Sequence, residues 1–118
     1  MRLLNLLCAV LMGCQTNYDF EVQDASKPQA FRFVNRSATS HIKYSFSGKI
    51  NGKARITVCL ADLKHEKECT AESGTAHYFQ STFQEKHQSD FFQHTVVTFY
   101  YTPLTATAGT LKIKAVCD

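Results

Sequence analysis

The chain lacks a surplus of charge of one sign, any low-complexity tract, and any apolar run long enough to cross a bilayer as a helix. Its formal net charge is only +3 over 118 residues, too weak a field to mark a nucleic-acid binder. Without a compositionally biased tract, disorder is not the expectation, and an apolar fraction of 44% suffices for one core in one domain. The chief apolar run, Leu3 to Met12, is broken by Asn5 and spans about ten residues, where a ~30 Å hydrocarbon core needs about twenty. Signatures of chemistry are missing as well. There is no C-x-x-C, no H-E-x-x-H, no G-x-S-x-G and no glycine-rich phosphate loop. The reading therefore carries no cofactor, no metal and no catalytic residue.

What is present begins at the N-terminus. Met1-Arg2 is a short basic start, and the apolar run that follows ends in Leu11-Met12-Gly13-Cys14. A run of this length suits the hydrophobic part of a secretory signal. Its end resembles the lipobox of bacterial lipoproteins, in which a Leu three places before the Cys and a small residue just before it are read by the lipoprotein signal peptidase. Cys8 fits that pattern poorly, because Leu7 precedes it. The resemblance implies a signal peptide over residues 1–13 and a mature N-terminus at Cys14, thioether-linked to diacylglycerol and acylated on its amine, typically by palmitate. Each buried methylene contributes roughly 0.8 kcal/mol, so two or three chains anchor stably where one does not. Gln15 stands where lipoproteins retained in the inner membrane commonly carry Asp, so the likeness is to the outer-membrane class.

Residues 14–29 read as the lipidated N-terminus and a flexible tether, and residues 30–118 as one domain. Thr, Val, Ile, Phe and Tyr dominate there, and period two recurs: Phe31 and Phe33; Ile42, Tyr44 and Phe46; Ile56, Val58 and Leu60; Val97, Phe99 and Tyr101; Leu111, Ile113 and Ala115. This predicts an all-β fold, a small antiparallel β-sandwich or partly open barrel of about seven short strands. Asn51-Gly52 predicts a hairpin. A two-residue loop would set apolar positions against polar ones, whereas an Ile50-Asn51-Gly52 loop pairs Phe46 with Ile56 and Tyr44 with Val58. In that register Lys43, Lys49, Lys53 and Arg55 share one outward face, as do Lys112 and Lys114 on the last strand. Such a face suits acidic lipid headgroups or an acidic protein, or simply keeps the sheet solvated.

An exported domain can form disulfides. Cys59 should point outward and Cys117 inward, while Cys59 and Cys69 lie symmetrically about Lys64. The expectation is a Cys59–Cys69 bridge across a hairpin or a short helix over Ala61–Cys69, with Cys117 a buried thiol; Cys69–Cys117 is the rival pairing. The histidines fall on different predicted segments, and Ser89-Asp90 near His87 and His94 reads as a polar loop. Phe91-Phe92 cannot both face inward in an extended strand, and Tyr100 alternates away from Phe99 and Tyr101. These three aromatics are candidate contacts for an extended partner segment.

Ser47-Gly48-Lys49-Ile50, Ala54 through Asp62, Phe99-Tyr100-Tyr101 and Leu111 through Ala115 together resemble the small β-sandwich pilotins of type III secretion secretins. That resemblance implies a lipid-anchored chaperone that binds the C-terminal segment of a secretin subunit and carries it to the outer membrane. The functional expectation is thus a non-catalytic lipoprotein with a protein partner in the cell envelope. An immunity protein or inhibitor that neutralises a toxin or hydrolase is the alternative, and a small envelope enzyme the weaker third.

Overall fold

The computed structural model describes residues 16–35, 41–90 and 95–117. Among these residues, six antiparallel strands carry the fold: β1 (Thr16–Val22), β2 (Gln29–Val34), β3 (His41–Asp62), β4 (Thr75–Asp90), β5 (Thr95–Pro103) and β6 (Gly109–Cys117). The all-β antiparallel class is the one the alternation predicts. The strands are fewer than anticipated because two are long, β3 with 22 residues and β4 with 16.

Register explains the architecture. The first half of β3 pairs with β6 and its second half with β5, both antiparallel. β4 follows β3 on its other side from His41 to Val58, with a register shift between Lys49 and Lys53, β1 lines β6, and β2 lines β5. The molecule is therefore one sheet of four long ribbons, β4, β3, β5/β6 and β1/β2, folded over about a line through their middles. Two leaves result. The β1 leaf contains β1, β6, the start of β3 and the end of β4; the β2 leaf contains β2, β5, the end of β3 and the start of β4. The thinnest extent, 19 Å, is that of two sheets stacked about 10 Å apart with their outer side chains.

The fold line is built from specific contacts. Asn51 Oδ1 accepts from the backbone N–H of Thr107 and Ala108 at 2.8 and 2.9 Å, and Asn51 Nδ2 donates to Thr107 Oγ1 at 2.7 Å. The Lys53 carbonyl accepts from the N–H groups of Leu104, Thr105 and Ala106. A Cβ on Gly52 would lie 2.8 Å from the Thr105 carbonyl oxygen, so only glycine lets the crossing ribbons approach. On β4 the bend is absorbed by Ser81, whose φ of 61° is left-handed.

The hairpin expected at Asn51-Gly52 is therefore replaced by a bent, continuous strand. The pairings Phe46–Ile56 and Tyr44–Val58 do not occur: Phe46 lies between Glu85 and Ile113, and Ile56 between His77 and Tyr101. Asn51 spends its hydrogen-bonding capacity on the β5–β6 connection, not on a turn of its own. Even-numbered positions stay inward through the bend, with Ile42, Tyr44, Phe46, Ile50, Ala54, Ile56 and Val58 all buried.

The leaves close on an aromatic core. Tyr18 stacks on Phe33 at 3.8 Å, Phe46 meets Phe79 edge-on at 5.2 Å, and Phe79 meets Phe83 at 4.6 Å; such pairs add about 0.5–1.5 kcal/mol each beyond area burial. The buried Tyr101 hydroxyl donates to the Ala25 carbonyl at 2.7 Å, tying β5 to the β1–β2 corner. Residues 16–22, expected within the tether, form β1 instead, because Tyr18, Phe20 and Val22 alternate inward against Ala115, Ile113 and Leu111.

The segment 63–74 lies across the outer face of the β2 leaf. Cys59 and Cys69 are bridged with their Cα atoms 6.0 Å apart, as expected, although the bridge joins a strand to an overlying loop and not two hairpin strands. The helix weighed over Ala61–Cys69 shrinks to one 3-10 turn, Glu66–Glu68, because β3 runs on to Asp62. Arg32 clamps this turn by donating Nε and Nη2 to the Glu66 carboxylate at 2.6 and 2.8 Å, and the Tyr100 hydroxyl donates to the Cys69 carbonyl at 3.0 Å. Gly74 returns the chain with a φ of +114°, where a Cβ would strike the Val58 carbonyl oxygen. Cys117 is fully buried and stays a thiol. Among the described residues no helix is long and apolar enough to cross a membrane.

Two outcomes follow from this construction. Replacing Asn51 by Ala strands two N–H groups and should lower stability by about 1–2 kcal/mol in urea unfolding, while Asn51→Asp, which keeps an acceptor, should cost less than half of that. The Cys59→Ser/Cys69→Ser pair should lose about 2–3 kcal/mol, the chain-entropy value for so short a loop, and limited proteolysis should then cut first within 63–74.

Candidate functional site

Because the sheet is folded, its two outer faces point in opposite directions and have different fates. The outer face of the β2 leaf lies beneath the 63–74 segment. Val96, Thr98, Thr57 and Cys59 point outward by alternation yet are buried there. Arg55 is half-buried on the same face with Glu72 4.0 Å away, and its Nε and the Thr57 hydroxyl find no hydrogen-bond partner among the described residues. Tyr100, a candidate partner contact, uses its hydroxyl on Cys69 and lines a shallow 210 Å³ groove with Gln29, Ala71 and Thr102.

The outer face of the β1 leaf is open, and lysines populate it. Lys43 and Lys49 on β3, Lys86 on β4, and Lys112 and Lys114 on β6 are all exposed. Ser45 lies between Lys86 on one neighbouring strand and Lys114 on the other. A 470 Å³ groove runs among Lys43, Ser45, Lys86, Gln88, Lys114 and Val116. Two strand spacings separate Lys86 from Lys114, roughly 10 Å. On the far side, Asp19 and Glu21 of β1 lie opposite Lys114 and Lys112, so acidic neighbours line the β1 edge of this face.

The face expected to unite Lys43, Lys49, Lys53 and Arg55 is thereby corrected. Lys43 and Lys49 are on the open face; Lys53 and Arg55 lie beyond the fold line on the other leaf, where bending the strand reverses its outward direction in space. Lys86, missed from the sequence, joins the first group because β4 is a strand throughout.

The second cluster lies inside, along the edge made by β4. His77 is on its β2-leaf half, Glu85 and His87 on its β1-leaf half, and the bend at Ser81 sets the two halves face to face. The His77 and His87 rings lie 4.0 Å apart between centroids, and His87 Nε2 is 3.1 Å from Glu85 Oε1. The Tyr44 hydroxyl approaches His77 Nε2 at 3.3 Å, and its ring stacks on His87 at 5.5 Å. Burial and the neighbouring His87 hold the His77 imidazole below its usual pKa, with Glu85 opposing; burial pushes the Tyr44 phenol up.

These histidines were expected on different segments, yet one strand carries both. The legible signal was parity: His77, Phe79, Phe83, Glu85 and His87 are all odd-numbered, and the two phenylalanines mark odd positions as inward. Ser89-Asp90, read as a loop, ends the same strand, with Asp90 outward 3.2 Å from His41 Nε2. Leu11, Met12, Gly13, Cys14, Phe91, Phe92 and His94 lie outside the described residues.

No family model matches the chain, and no curated protein matches it. Solved structures do. The prophage-derived protein YomS of SPBc2 aligns over 89% of this chain and 96% of its own, with a TM-score of 0.57 at 15% identity. A chain of the Bacillus endospore appendages, described as a novel family of disulfide-linked pili, aligns over 88% of this chain and 86% of its own, with a TM-score of 0.50 at 8% identity. At these identities the likeness is one of fold: a small β architecture that recurs with unrelated sequences.

Proposed function

We propose that this chain is a lipid-anchored, non-catalytic binding module of the bacterial cell envelope that receives an acidic protein segment on the lysine face of its β1 leaf. The observation that carries this reading is the convergence of Lys43, Lys86 and Lys114, from three adjacent strands, around one groove. It lies on the outer face that the disulfide-pinned segment leaves bare. The lysines rise from strands that span roughly 10 Å, a spread that suits carboxylates distributed along an extended chain. The lysine stems and Val116 supply apolar contact beneath the charges.

The anchor supports the same reading. β1 begins at Thr16, two residues after Cys14, a reach of at most about 7 Å. A thioether lipid at Cys14 would hold the start of β1, with its neighbours Cys117 and Ile42, close to the bilayer, and Lys43 adjoins that end. Encounters are then confined to partners at the membrane surface. The outer membrane is the destination that Gln15 favours, and the C-terminal segment of a secretin subunit is the partner class that the pilotin resemblance supplies.

Two measurements test this. Cys14→Ser should abolish the acyl mass increment and move the protein from the membrane fraction to the soluble one; unchanged fractionation would contradict the anchor. The Lys86→Glu/Lys114→Glu variant should unfold in urea within about 0.5 kcal/mol of wild type, since both side chains are exposed. Binding of a fluorescent acidic peptide should weaken at least about ten-fold in that variant, and in wild type it should fall steeply with added salt. Equal affinity in both proteins would refute the lysine face as the contact.

A further inference from the structure

We infer that His77, Glu85 and His87 form a binding site for a first-row divalent metal ion of the zinc type, set into the β4 edge between the two leaves. One donor atom from each residue lies within 4.8 Å of the other two. A tetrahedral centre with bonds of about 2.0–2.1 Å holds its ligand atoms roughly 3.3 Å apart. Glu85 Oε1 and His87 Nε2, at 3.1 Å, already have that spacing. His77 sits across the fold with its donor atom within 4.8 Å of theirs, and closes by at most about 1.5 Å to reach the same spacing.

The donor set specifies the ion class. Two imidazole nitrogens and one carboxylate oxygen suit zinc, cobalt, nickel or copper, whereas calcium and magnesium prefer all-oxygen shells. Three protein ligands leave a fourth position, and the half-burial of all three residues leaves the site within reach of solvent. A supporting shell is in place. The Tyr44 hydroxyl lies 3.3 Å from His77 Nε2, an outer partner that orients the ring. Phe46 packs 5.5 Å from the His77 ring and 5.9 Å from that of His87, keeping the inner side dry. The site spans the fold line, so occupancy would fasten the two halves of β4 to each other, and binding free energy would add to folding stability.

The test uses the full chain in detergent with chelator-stripped buffer and Zn2+ as the probe. Isothermal titration should give one ion per chain with micromolar affinity and a rise in melting temperature. His77→Ala and His87→Ala should each weaken binding at least about ten-fold, while His65→Ala, whose imidazole pairs with Asp62 at 2.7 Å on the exposed loop, should leave it unchanged. Glu85→Gln keeps shape while removing the anionic donor, and its circular dichroism should match wild type as its affinity falls. Co2+ in place of Zn2+ should give visible ligand-field absorption that disappears in His77→Ala. The site is refuted by absence of binding, or by binding that survives both histidine substitutions or is lost in His65→Ala.

Discussion

Everything in this molecule depends on one corner, where the Asn51 side chain and the Lys53 carbonyl together hold the connection between β5 and β6. A sheet of four long antiparallel ribbons has two faces and only enough apolar residues for one. Folding it about a line through Asn51, Ser81 and the two connecting loops brings the apolar face against itself, so a single sheet supplies both walls of its own core. The condition is that inward parity survives the bend, and along β3 it does, from Ile42 through Val58. Gly52 is the steric requirement of that corner, and Asn51 its hydrogen-bonding one.

The same fold gives the two outer faces different roles. A disulfide, a bidentate Arg32–Glu66 pair and a tyrosine hydroxyl fasten the 63–74 segment over the β2 leaf. Arg32 holds the Glu66 carboxyl below the usual carboxylate range, and the pair is exposed, so it orients the segment more than it stabilises it. The β1 leaf keeps its lysines in solvent. Along the β4 edge the bend creates something neither half possesses alone, two imidazoles and a carboxylate facing one another beside Tyr44.

Much of the architecture was legible because alternation is a direct record of which side of a strand faces the core. The inward positions of β2, β5, β6 and both halves of β3 were readable from Phe31, Ile42, Ile56, Val97 and Leu111 and the residues that alternate with them. So was the Cys59–Cys69 pairing, since Cys59 points outward and Cys117 inward. What escaped depends on long-range contacts. Asn-Gly is a strong local turn signal, but here tertiary partners, Thr107 and Ala108, outcompete the turn for the same amide. The consequence propagates: with a hairpin at Asn51 the lysines form one face, and with a bend they form two. Tyr18, Phe20 and Val22 fall in the stretch read as a tether, and their alternation gains its meaning only from the facing residues of β6. His77 and His87, ten residues apart on one strand, meet only because Ser81 adopts a left-handed conformation.

The folded sheet is tested most directly by interstrand nuclear Overhauser effects in isotope-labelled protein. Close backbone contacts of Ile56 with Tyr101 and His77, and of Phe46 with Ile113 and Glu85, are required by a β3 that bends and continues. Contacts of Phe46 with Ile56 and of Tyr44 with Val58 would show instead that the chain reverses at Asn51-Gly52. In that case the opposed outer faces and the facing histidines would not exist.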